Sequence, residues 1–263
     1  MSVATAGALA AALAVTSALL ALYADPARRA LLRERVRAAA RAPVPDGDLD
    51  AMCAELFGFG PLQPLLDECV RARASILVSG ATGSGKSTLL RSLAAAIPDD
   101  ERLVVIEDTN ELVLPHPHVV HLECVPGRDG AAIGIADLVA NALRMRPDRI
   151  LVGEVRTPRE ASALLEALST GHEGSLTTLH AGSAAGALAR LALLLARAGE
   201  LGDAAIDRHV AQAIDIVVHV ARDPSGARSI REIAAVEESG IASLWHAGGD
   251  EVRMPVRLAS RLR

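Results

Sequence analysis

A glycine-rich stretch around residue 80 carries the residue types with the clearest chemical purpose. Residues 80–87 read GATGSGKS and match the phosphate-binding pattern G-x-x-x-x-G-K-[ST]. In such loops, backbone N–H groups turn inward around phosphate groups, and the dipole of the following helix favours negative charge. Lys86 is the only lysine in the chain, and the other 26 of the 27 basic residues are arginine. A compact ammonium fits between two phosphates where a planar guanidinium is too bulky, so the loop is predicted to bind a nucleotide.

The sequence on either side of this loop predicts the elements that the motif needs. Residues 76–78 form a short apolar run typical of a buried strand, and residues 88–96 have the composition of a helix that ends before Pro98. A glycine-rich turn could match the pattern by chance. The strand–loop–helix order makes that alternative much the weaker one.

Acidic or titratable residues follow three other apolar runs. Residues 107–111 (EDTNE) follow RLVVI, residues 153–156 (GEVR) follow RILV, and His180 follows GSLTTL. The carboxyl ends of parallel strands meet at one edge of a sheet, where ligands bind. Phosphoryl transfer needs oxygen ligands for Mg²⁺, a group that positions water, and cations for the developing charge. Each group alone could be a cap, a surface acid or a core histidine, but together behind a phosphate-binding loop they favour a catalytic site.

Apolar runs and helical patterns alternate along the chain from about residue 74. Such alternation predicts an α/β fold, in which a mainly parallel sheet carries helices on both faces. A helix at residues 62–72 is predicted to precede this pattern. The predicted strands are at residues 75–79, 103–107, 119–123, 149–153, 175–179 and 215–221, and the predicted helices are at residues 86–96, 134–144, 158–169, 184–198 and 204–214.

The composition limits the classes of protein to which the chain can belong. Its 263 residues suffice for one large domain or two small ones, and 51% apolar residues suffice for a sizeable core. Residues 1–41 carry six arginines and two acidic residues, whereas the remainder carries 21 basic and 30 acidic residues, a net charge of −9. A body of that charge is unlike a nucleic-acid-binding domain. The three cysteines are widely spaced, which is typical of free thiols in a reducing cytosol.

The first 24 residues contain no charged side chain. A helix of about 20 apolar residues can cross a bilayer, and the arginines that follow would keep residues 25–263 on the cytoplasmic side. We therefore expect a transmembrane anchor at residues 1–24. A soluble Ala/Leu helix or a misplaced start codon would also explain this composition.

Three histidines, His116, His118 and His121, are close together in the stretch LPHPHVVHLE. Residues 119–121 enter a predicted strand, in which successive side chains point to opposite faces, so the three rings need not converge. We do not expect a metal site at this place.

Four segments of the chain together resemble one family of motor proteins. They are GATGSGKSTLL, VVIEDTNEL, NALRMRPDRILVGEVR and STGHEGSLTTLHAGS, in this order. The chain resembles the secretion ATPases of type II and type IV systems, above all the tight-adherence (Tad/Flp, CpaF-like) pilus assembly ATPases, from about residue 71 to about residue 236. The resemblance implies a RecA-like P-loop motor that hydrolyses ATP with Mg²⁺. It also implies a hexamer on the cytoplasmic face of the bacterial inner membrane, where it moves a platform protein of a pilus or secretion system.

The resemblance implies a role for each matching residue. Lys86 would contact phosphate, Glu111 would activate water, and His180 would link the nucleotide state to the sheet. Glu154 would act at Mg²⁺ together with Ser87. The Walker A loop that binds the nucleotide would comprise Gly80, Ala81, Thr82, Gly83, Ser84, Gly85, Lys86, Ser87 and Thr88. The family arginines are matched by Arg144, Arg146 and Arg156; Arg144 and Arg156 are expected to bind nucleotide, and which of the three reaches phosphate, and from which subunit, stays open.

One departure from the family pattern concerns the segment before the motor. Family members carry a separate N-terminal domain there. In this chain, residues 58–66 (GFGPLQPLL) resemble the opening of that domain, and residues 69–80 (CVRARASILVSG) already resemble the entry to the motor. We therefore expect an anchor at residues 1–24, then a basic helix, linker and remnant of the N-terminal domain at residues 25–68, and a RecA-like ATPase domain at residues 69–263.

Two alternatives to a motor remain open. A nucleotide-binding interaction or regulatory subunit of the same system would show little turnover, and the shortened N-terminal domain favours it. The complete set of loop residues favours an ATPase instead. A cytosolic P-loop kinase would need an acceptor site or a lid, and the sequence shows neither. We therefore predict an ATP-hydrolysing motor subunit that binds no nucleic acid and forms a homo-hexamer or a mixed assembly with a complete homologous motor.

Overall fold

The computed structural model describes residues 62–127, 132–237 and 240–247. The predicted anchor at residues 1–24, and most of the predicted segment at residues 25–68, lie outside these residues. The division of the chain into three parts therefore stays a prediction. Within the described residues, no helix has the length and apolar character needed to span a membrane.

Helices and strands alternate along the described residues, and each element predicted from residue 62 onward is present. The strands are β1 (Ile76–Ser79), β2 (Leu103–Glu107), β3 (Val119–Glu123), β4 (Arg149–Val152), β5 (Leu176–Leu179), β6 (Ile216–Arg222), β7 (Arg228–Glu237) and β8 (Gly240–His246). The helices are α1 (Gln63–Arg71), α2 (Lys86–Ala95), α3 (Ile135–Ala142), α4 (Pro158–Ser169), α5 (Ala184–Ala198) and α6 (Asp203–Ala213).

The described strands form one sheet in the order β3-β2-β4-β5-β1-β6-β7-β8. The pairs from β3 to β6 are parallel, and the pairs β6–β7 and β7–β8 are antiparallel. The mainly parallel sheet is therefore confirmed, and an antiparallel extension that the sequence did not predict is added to it. β1 lies between β5 and β6, so the loop that follows β1 has strand ends on both sides.

Apolar side chains cover both faces of the sheet and form two separate clusters. On β1, Ile76 and Val78 belong to one cluster and Leu77 to the other, because successive strand residues point to opposite faces. Helices α1 and α2 contribute to the first cluster, and α3 to α6 contribute to the second. The double cover explains why the central strands are apolar throughout, and it confirms the predicted helices on both faces.

A buried ion-pair cluster joins the amino end of β4 to neighbouring elements. Arg149 is fully buried, and its Nε and Nη2 atoms each donate to a carboxylate oxygen of Glu101 at 2.7 Å. Arg73 Nη1 donates to the same carboxylate at 2.8 Å. Burial alone would raise the pKa of Glu101, but the hydrogen bonds and charge of Arg149 outweigh it, and the pKa is lowered. Arg149 Nη1 also donates to the carbonyl oxygen of Val70 at 2.7 Å, so the cluster ties α1 to the sheet.

Candidate active site

The phosphate-binding loop joins β1 to α2, as the sequence predicts. Gly80 passes so close to β6 that a Cβ atom at this position would lie 2.4 Å from the carbonyl oxygen of Val220. Only glycine fits there without a shift of the β6 backbone. The loop is buried at its base and exposed at its tip: Ser84 and Lys86 are buried, whereas Ala81, Thr82 and Gly83 are exposed.

The Lys86 ammonium is folded against its own loop. Nζ donates to the carbonyl oxygen of Ala81 at 3.1 Å and lies 3.3 Å from Nδ1 of His180. Because an ammonium group can only donate, Nδ1 of His180 accepts and Nε2 carries the ring proton. Burial lowers the pKa of Lys86; the charge of Glu154 acts in the opposite direction, and that of Arg156 in the same direction. A phosphate that offers better acceptors would draw Nζ away from Ala81 and His180.

A continuous series of polar contacts extends from Lys86 across the edge of the sheet. Nε2 of His180 lies 2.7 Å from Oε1 of Glu154. The other oxygen of Glu154 accepts a hydrogen bond from Arg156 at 3.0 Å, and Arg156 donates to Oδ2 of Asp108 at 2.7 Å. The hydrogen bond to Glu154 and the negative charges of Glu154, Asp108 and Glu160 raise the pKa of Arg156. We call this series, from Lys86 through His180, Glu154 and Arg156 to Asp108, the contact chain.

The strand order explains why the members of the contact chain meet. Strands β1, β5, β4 and β2 are neighbours in that order, and their parallel pairing brings their carboxyl ends to the same edge. Lys86 comes after β1, His180 directly follows β5, Glu154 comes after β4, and Asp108 directly follows β2. The structure thus brings together three of the four residues for which the sequence predicts catalytic roles, although the roles themselves stay predictions.

Glu107, the last residue of β2, is a buried carboxylate beside the contact chain. Its Oε1 accepts hydrogen bonds from the backbone N–H groups of Leu112 at 3.2 Å and Glu111 at 3.3 Å. Burial raises the pKa of Glu107 to about 7 despite these bonds. Gly153 packs against it, since a Cβ atom at residue 153 would lie 3.0 Å from Cγ of Glu107. Glu111, the fourth predicted catalytic residue, is exposed and makes its contact with Glu107 through its backbone.

The oxygen atoms beside the loop suit a magnesium ion. Ser87 and Thr88 lie in the first turn of α2, and both are half-buried. Oε1 of Glu154 is buried and has no well-aligned hydrogen bond within the described residues. Mg²⁺ prefers oxygen donors, and it takes its remaining ligands from water and substrate phosphates. No group of three or more His, Cys, Asp or Glu side chains that could hold a metal occurs in the described residues. Ser87 and Glu154 therefore fit an ion that arrives with a nucleotide.

The three neighbouring histidines each make a different contact. Nε2 of His116 lies 3.1 Å from the carbonyl oxygen of Pro98, and Nε2 of His118 accepts from Nη1 of Arg102 at 2.6 Å. His121, on β3, is half-buried, and burial lowers its pKa. Within the described residues, these contacts give the three rings no common centre.

Arg144 and Arg146 lie at the opposite edge of the sheet from the phosphate-binding loop. They precede the amino end of β4, whereas the loop follows the carboxyl end of the parallel strand β1. The carbonyl oxygen of Met145, between them, accepts from Nε of Arg102 at 3.0 Å, just before β2. Both arginines are exposed, and Arg146 has a positive φ of 51°. Within this subunit, Arg144 therefore lies away from the phosphate-binding loop, whereas Arg156 belongs to the contact chain.

The structure adds two groups at the loop that the sequence reasoning missed. Nε of Arg228, on β7, donates to the carbonyl oxygen of Gly83 at 3.3 Å. His219, on β6, is buried, and its Nδ1 lies 3.0 Å from Oγ of Ser79, directly before the loop. Both residues are about 140 positions away in the sequence, and neither belongs to a recognisable motif. Their pairing depends on β6 lying beside β1, which only the sheet order reveals.

Comparison with known proteins gives a consistent result. The family model described as type II/IV secretion system protein matches residues 60–251. A Mycobacterium tuberculosis protein named for conjugal transfer is 42% identical over 204 residues, which are 74% of this chain and 57% of the relative.

Two solved structures extend the comparison. The VirB11 ATPase of the Brucella suis type IV secretion system superposes with a TM-score of 0.61 and 35% identity, over 76% of this chain and 58% of that one. The pilus retraction motor PilT with bound ADP superposes with a TM-score of 0.53 and 26% identity, over 66% of this chain and 50% of that one. The sheet is thus that of the RecA-like secretion ATPases. The chain spans about half the length of the relatives it matches.

Proposed function

Because the chain belongs to the type II/IV secretion system protein family, we propose that it binds ATP at residues 80–88 and hydrolyses it to ADP and phosphate. The observation that carries this proposal is the contact chain, which places a cation, a titratable ring and a carboxylate directly behind a phosphate-binding loop. A site of this composition suits phosphoryl transfer to water.

The proposed reaction assigns a task to each group. Lys86 leaves Ala81 and His180 and contacts the β- and γ-phosphates, where it offsets the charge that develops as the bond to the bridging oxygen breaks. Glu111 accepts the proton of the water that attacks the γ-phosphorus, in keeping with the family resemblance. When Lys86 leaves, His180 loses its contact with Lys86 and keeps its contact with Glu154. The surroundings of its ring therefore differ between the empty and the nucleotide-bound loop.

Magnesium is the implied ion at this site. Ser87 and Glu154 would hold it, and the bound ion would neutralise phosphate charge. Glu154 also holds Arg156, whose second carboxylate partner is Asp108. Arg156 is therefore already placed beside the carboxylate that would face the ion.

The exposed position of Arg144 and Arg146 supports an assembly in which subunits complete each other's sites. An arginine supplied by a neighbouring subunit can accelerate phosphoryl transfer by roughly 10³–10⁵-fold. We propose a homo-hexamer, or a mixed hexamer with a complete homologous motor, in which Arg144 reaches the nucleotide of the adjacent subunit.

Two solved relatives support a proposal for the biological role. One solved relative is an ATPase of a type IV secretion system, and another is a pilus retraction motor. We propose that this chain is a motor subunit of such a system, at the cytoplasmic face of the inner membrane, and that its partner is a membrane platform protein. The four motifs favour a tight-adherence pilus system within that range.

Two variants test the proposed function. Lys86→Ala should weaken ATP binding by roughly 10- to 100-fold, the scale of a lost hydrogen bond to a charged group. Glu111→Gln should leave binding nearly unchanged and suppress phosphate release. Binding of a fluorescent ATP analogue and release of phosphate measure the two effects, and Arg159→Gln, at an exposed ion pair, serves as the control.

The outcomes separate the candidate functions. Equal loss of binding in both variants would refute the division of roles between Lys86 and Glu111. Binding without phosphate release at any protein concentration, with or without membranes, would indicate the nucleotide-binding interaction subunit instead.

A further inference from the structure

The hairpin formed by β6 and β7 contacts the phosphate-binding loop at its base and at its tip. At the base, Gly80 packs against the backbone of Val220 on β6. At the tip, Nε of Arg228 on β7 donates to the carbonyl oxygen of Gly83 at 3.3 Å. The loop is therefore held on one side by the contact chain and on the other side by this hairpin.

The contact at the tip fixes one particular peptide group. The carbonyl oxygen of Gly83 accepts from Arg228, and the N–H of the same peptide group, that of Ser84, donates to the carbonyl oxygen of Ala81 at 3.3 Å. The peptide plane is thus held from both ends. The tip has little else to hold it, because Gly83 is exposed and has no side chain. Within the described residues, Arg228 is the side chain from outside the loop that hydrogen-bonds to residues 82–84.

The charge of Arg228 is not neutralised by a carboxylate of the described residues. Its Cα partner across the hairpin is another arginine, Arg222. Like charges directly opposite each other on a sheet are unfavourable. Nε of Arg222 donates instead to the carbonyl oxygen of Gly226, in the turn between β6 and β7, at 3.1 Å. The two arginines therefore make different contacts, and Arg228 brings to the place where phosphate is expected a positive charge that no carboxylate of the described residues neutralises.

We propose that Arg228 is a positioning residue for the phosphate-binding loop. It holds the Gly83–Ser84 peptide in one orientation, so the loop loses less conformational freedom when a polyphosphate binds, and its remaining N–H groups add positive potential at the tip. This inference rests on the proposed function, since it concerns the affinity of the same site for nucleotide.

The test compares Arg228→Ala, Arg228→Lys and the matched control Arg222→Ala in the full chain. Arg228→Ala should raise the Kd for ATP and ADP, and the KM for ATP, by roughly three- to tenfold, with little change in kcat, because an exposed hydrogen bond to a charged group is lost. Arg228→Lys keeps the charge and a donor, so it should recover part of the affinity. Arg222→Ala should bind like the unaltered protein.

Competition by inorganic pyrophosphate identifies the part of the ligand that is affected. If Arg228 acts through the loop, its removal weakens pyrophosphate binding by the same factor as ATP binding. Unchanged pyrophosphate affinity would overturn the proposal, because the arginine would then act on the base or ribose. Equal losses in Arg228→Ala and Arg222→Ala, or no recovery in Arg228→Lys, would also overturn it.

These results are distinguishable from a failure of the proposed function. If the unaltered protein binds ATP and Arg228→Ala binds equally well, only the positioning role is wrong. If the unaltered protein binds no nucleotide, the proposed function fails, and the inference that depends on it fails too.

Discussion

Replacement of Glu101 by glutamine tests the buried ion-pair cluster at the amino edge of the sheet. The substitution keeps the size of the side chain and removes the charge that faces Arg149, which is fully buried. Loss of one partner of a buried pair typically costs about 3–5 kcal/mol. The Glu101 side chain is 14% exposed, and Arg149 keeps its bond to the carbonyl oxygen of Val70. We therefore expect the unfolding free energy to fall by about 3 kcal/mol, at the lower end of that range.

Urea unfolding measures this loss with two independent signals. Trp245, the only tryptophan of the chain, lies on β8 and reports the antiparallel part of the sheet, and far-ultraviolet circular dichroism reports the whole. Arg159→Gln is the matched control, since its ion pair with Asp137 has side chains 80% and 44% exposed. An exposed pair of this kind contributes about 0–1 kcal/mol. The double variant Glu101→Gln with Arg149→Met should recover most of the loss, because it removes the buried charge, and Arg73, whose side chain is 37% exposed, keeps its contact with water.

The dependence on pH gives a second check. The pKa of Glu101 is lowered in the folded protein, so its contribution is present above the pKa of an unfolded glutamate and is lost as the pH falls through the folded value. The difference in unfolding free energy between the unaltered protein and Glu101→Gln should therefore become smaller as the pH falls. A loss no larger than that of the Arg159→Gln control at neutral pH would refute the reasoning.

Three further predictions concern the site. Burial raises the pKa of Glu107 to about 7, so the folded protein retains a proton that the unfolded chain has already released, and stability should fall as the pH rises from roughly 4.5 to 7. Glu107→Gln should flatten that slope in urea unfolding measured across the range, and parallel slopes would contradict the expectation. Gly153→Ala should lose about 1–3 kcal/mol of stability by overpacking, since its Cβ would lie 3.0 Å from Cγ of Glu107, whereas Gly182→Ala, with no atom within 4 Å, should lose little. ATPase activity per subunit should rise with protein concentration. Mixing Lys86→Ala with Arg144→Ala subunits should also restore ATPase activity that neither variant has alone. A mixture as inactive as the separate variants would argue against a site shared between subunits.

Strands β1 to β6 and helices α1 to α6 were predictable because their apolar patterns are local. Their predicted bounds agree with the structure to within two residues, as at β1, predicted at residues 75–79 and observed at Ile76–Ser79. The proximity of Lys86, Glu154 and His180 was predictable as well, because the parallel strands that precede them end at one edge of the sheet. That argument needs only the strand order typical of such sheets.

β7 and β8 could not be predicted in the same way. They continue the sheet from β6 as antiparallel strands, and their pairing depends on an edge that exists only after the parallel part has formed. Arg228 was missed for this reason, since its contact with Gly83 joins residues 145 positions apart. Arg149 was missed because an arginine in a sequence is ordinarily taken as exposed. Its burial depends on Glu101, 48 positions earlier.

Arg146 adopts a positive φ of 51°, a conformation that glycine takes without strain and that costs a side-chain-bearing residue about 1–2 kcal/mol. The residue is exposed and lies at the edge where we expect the next subunit. A chain optimised only for its own folding would carry glycine at this position. Arg146→Gly would therefore be an early choice in an effort to raise the thermal stability of this protein. If the proposed assembly places a neighbouring subunit at this edge, the gain in stability of the single subunit would be offset by the loss of a cation between subunits, a trade-off between stability and activity.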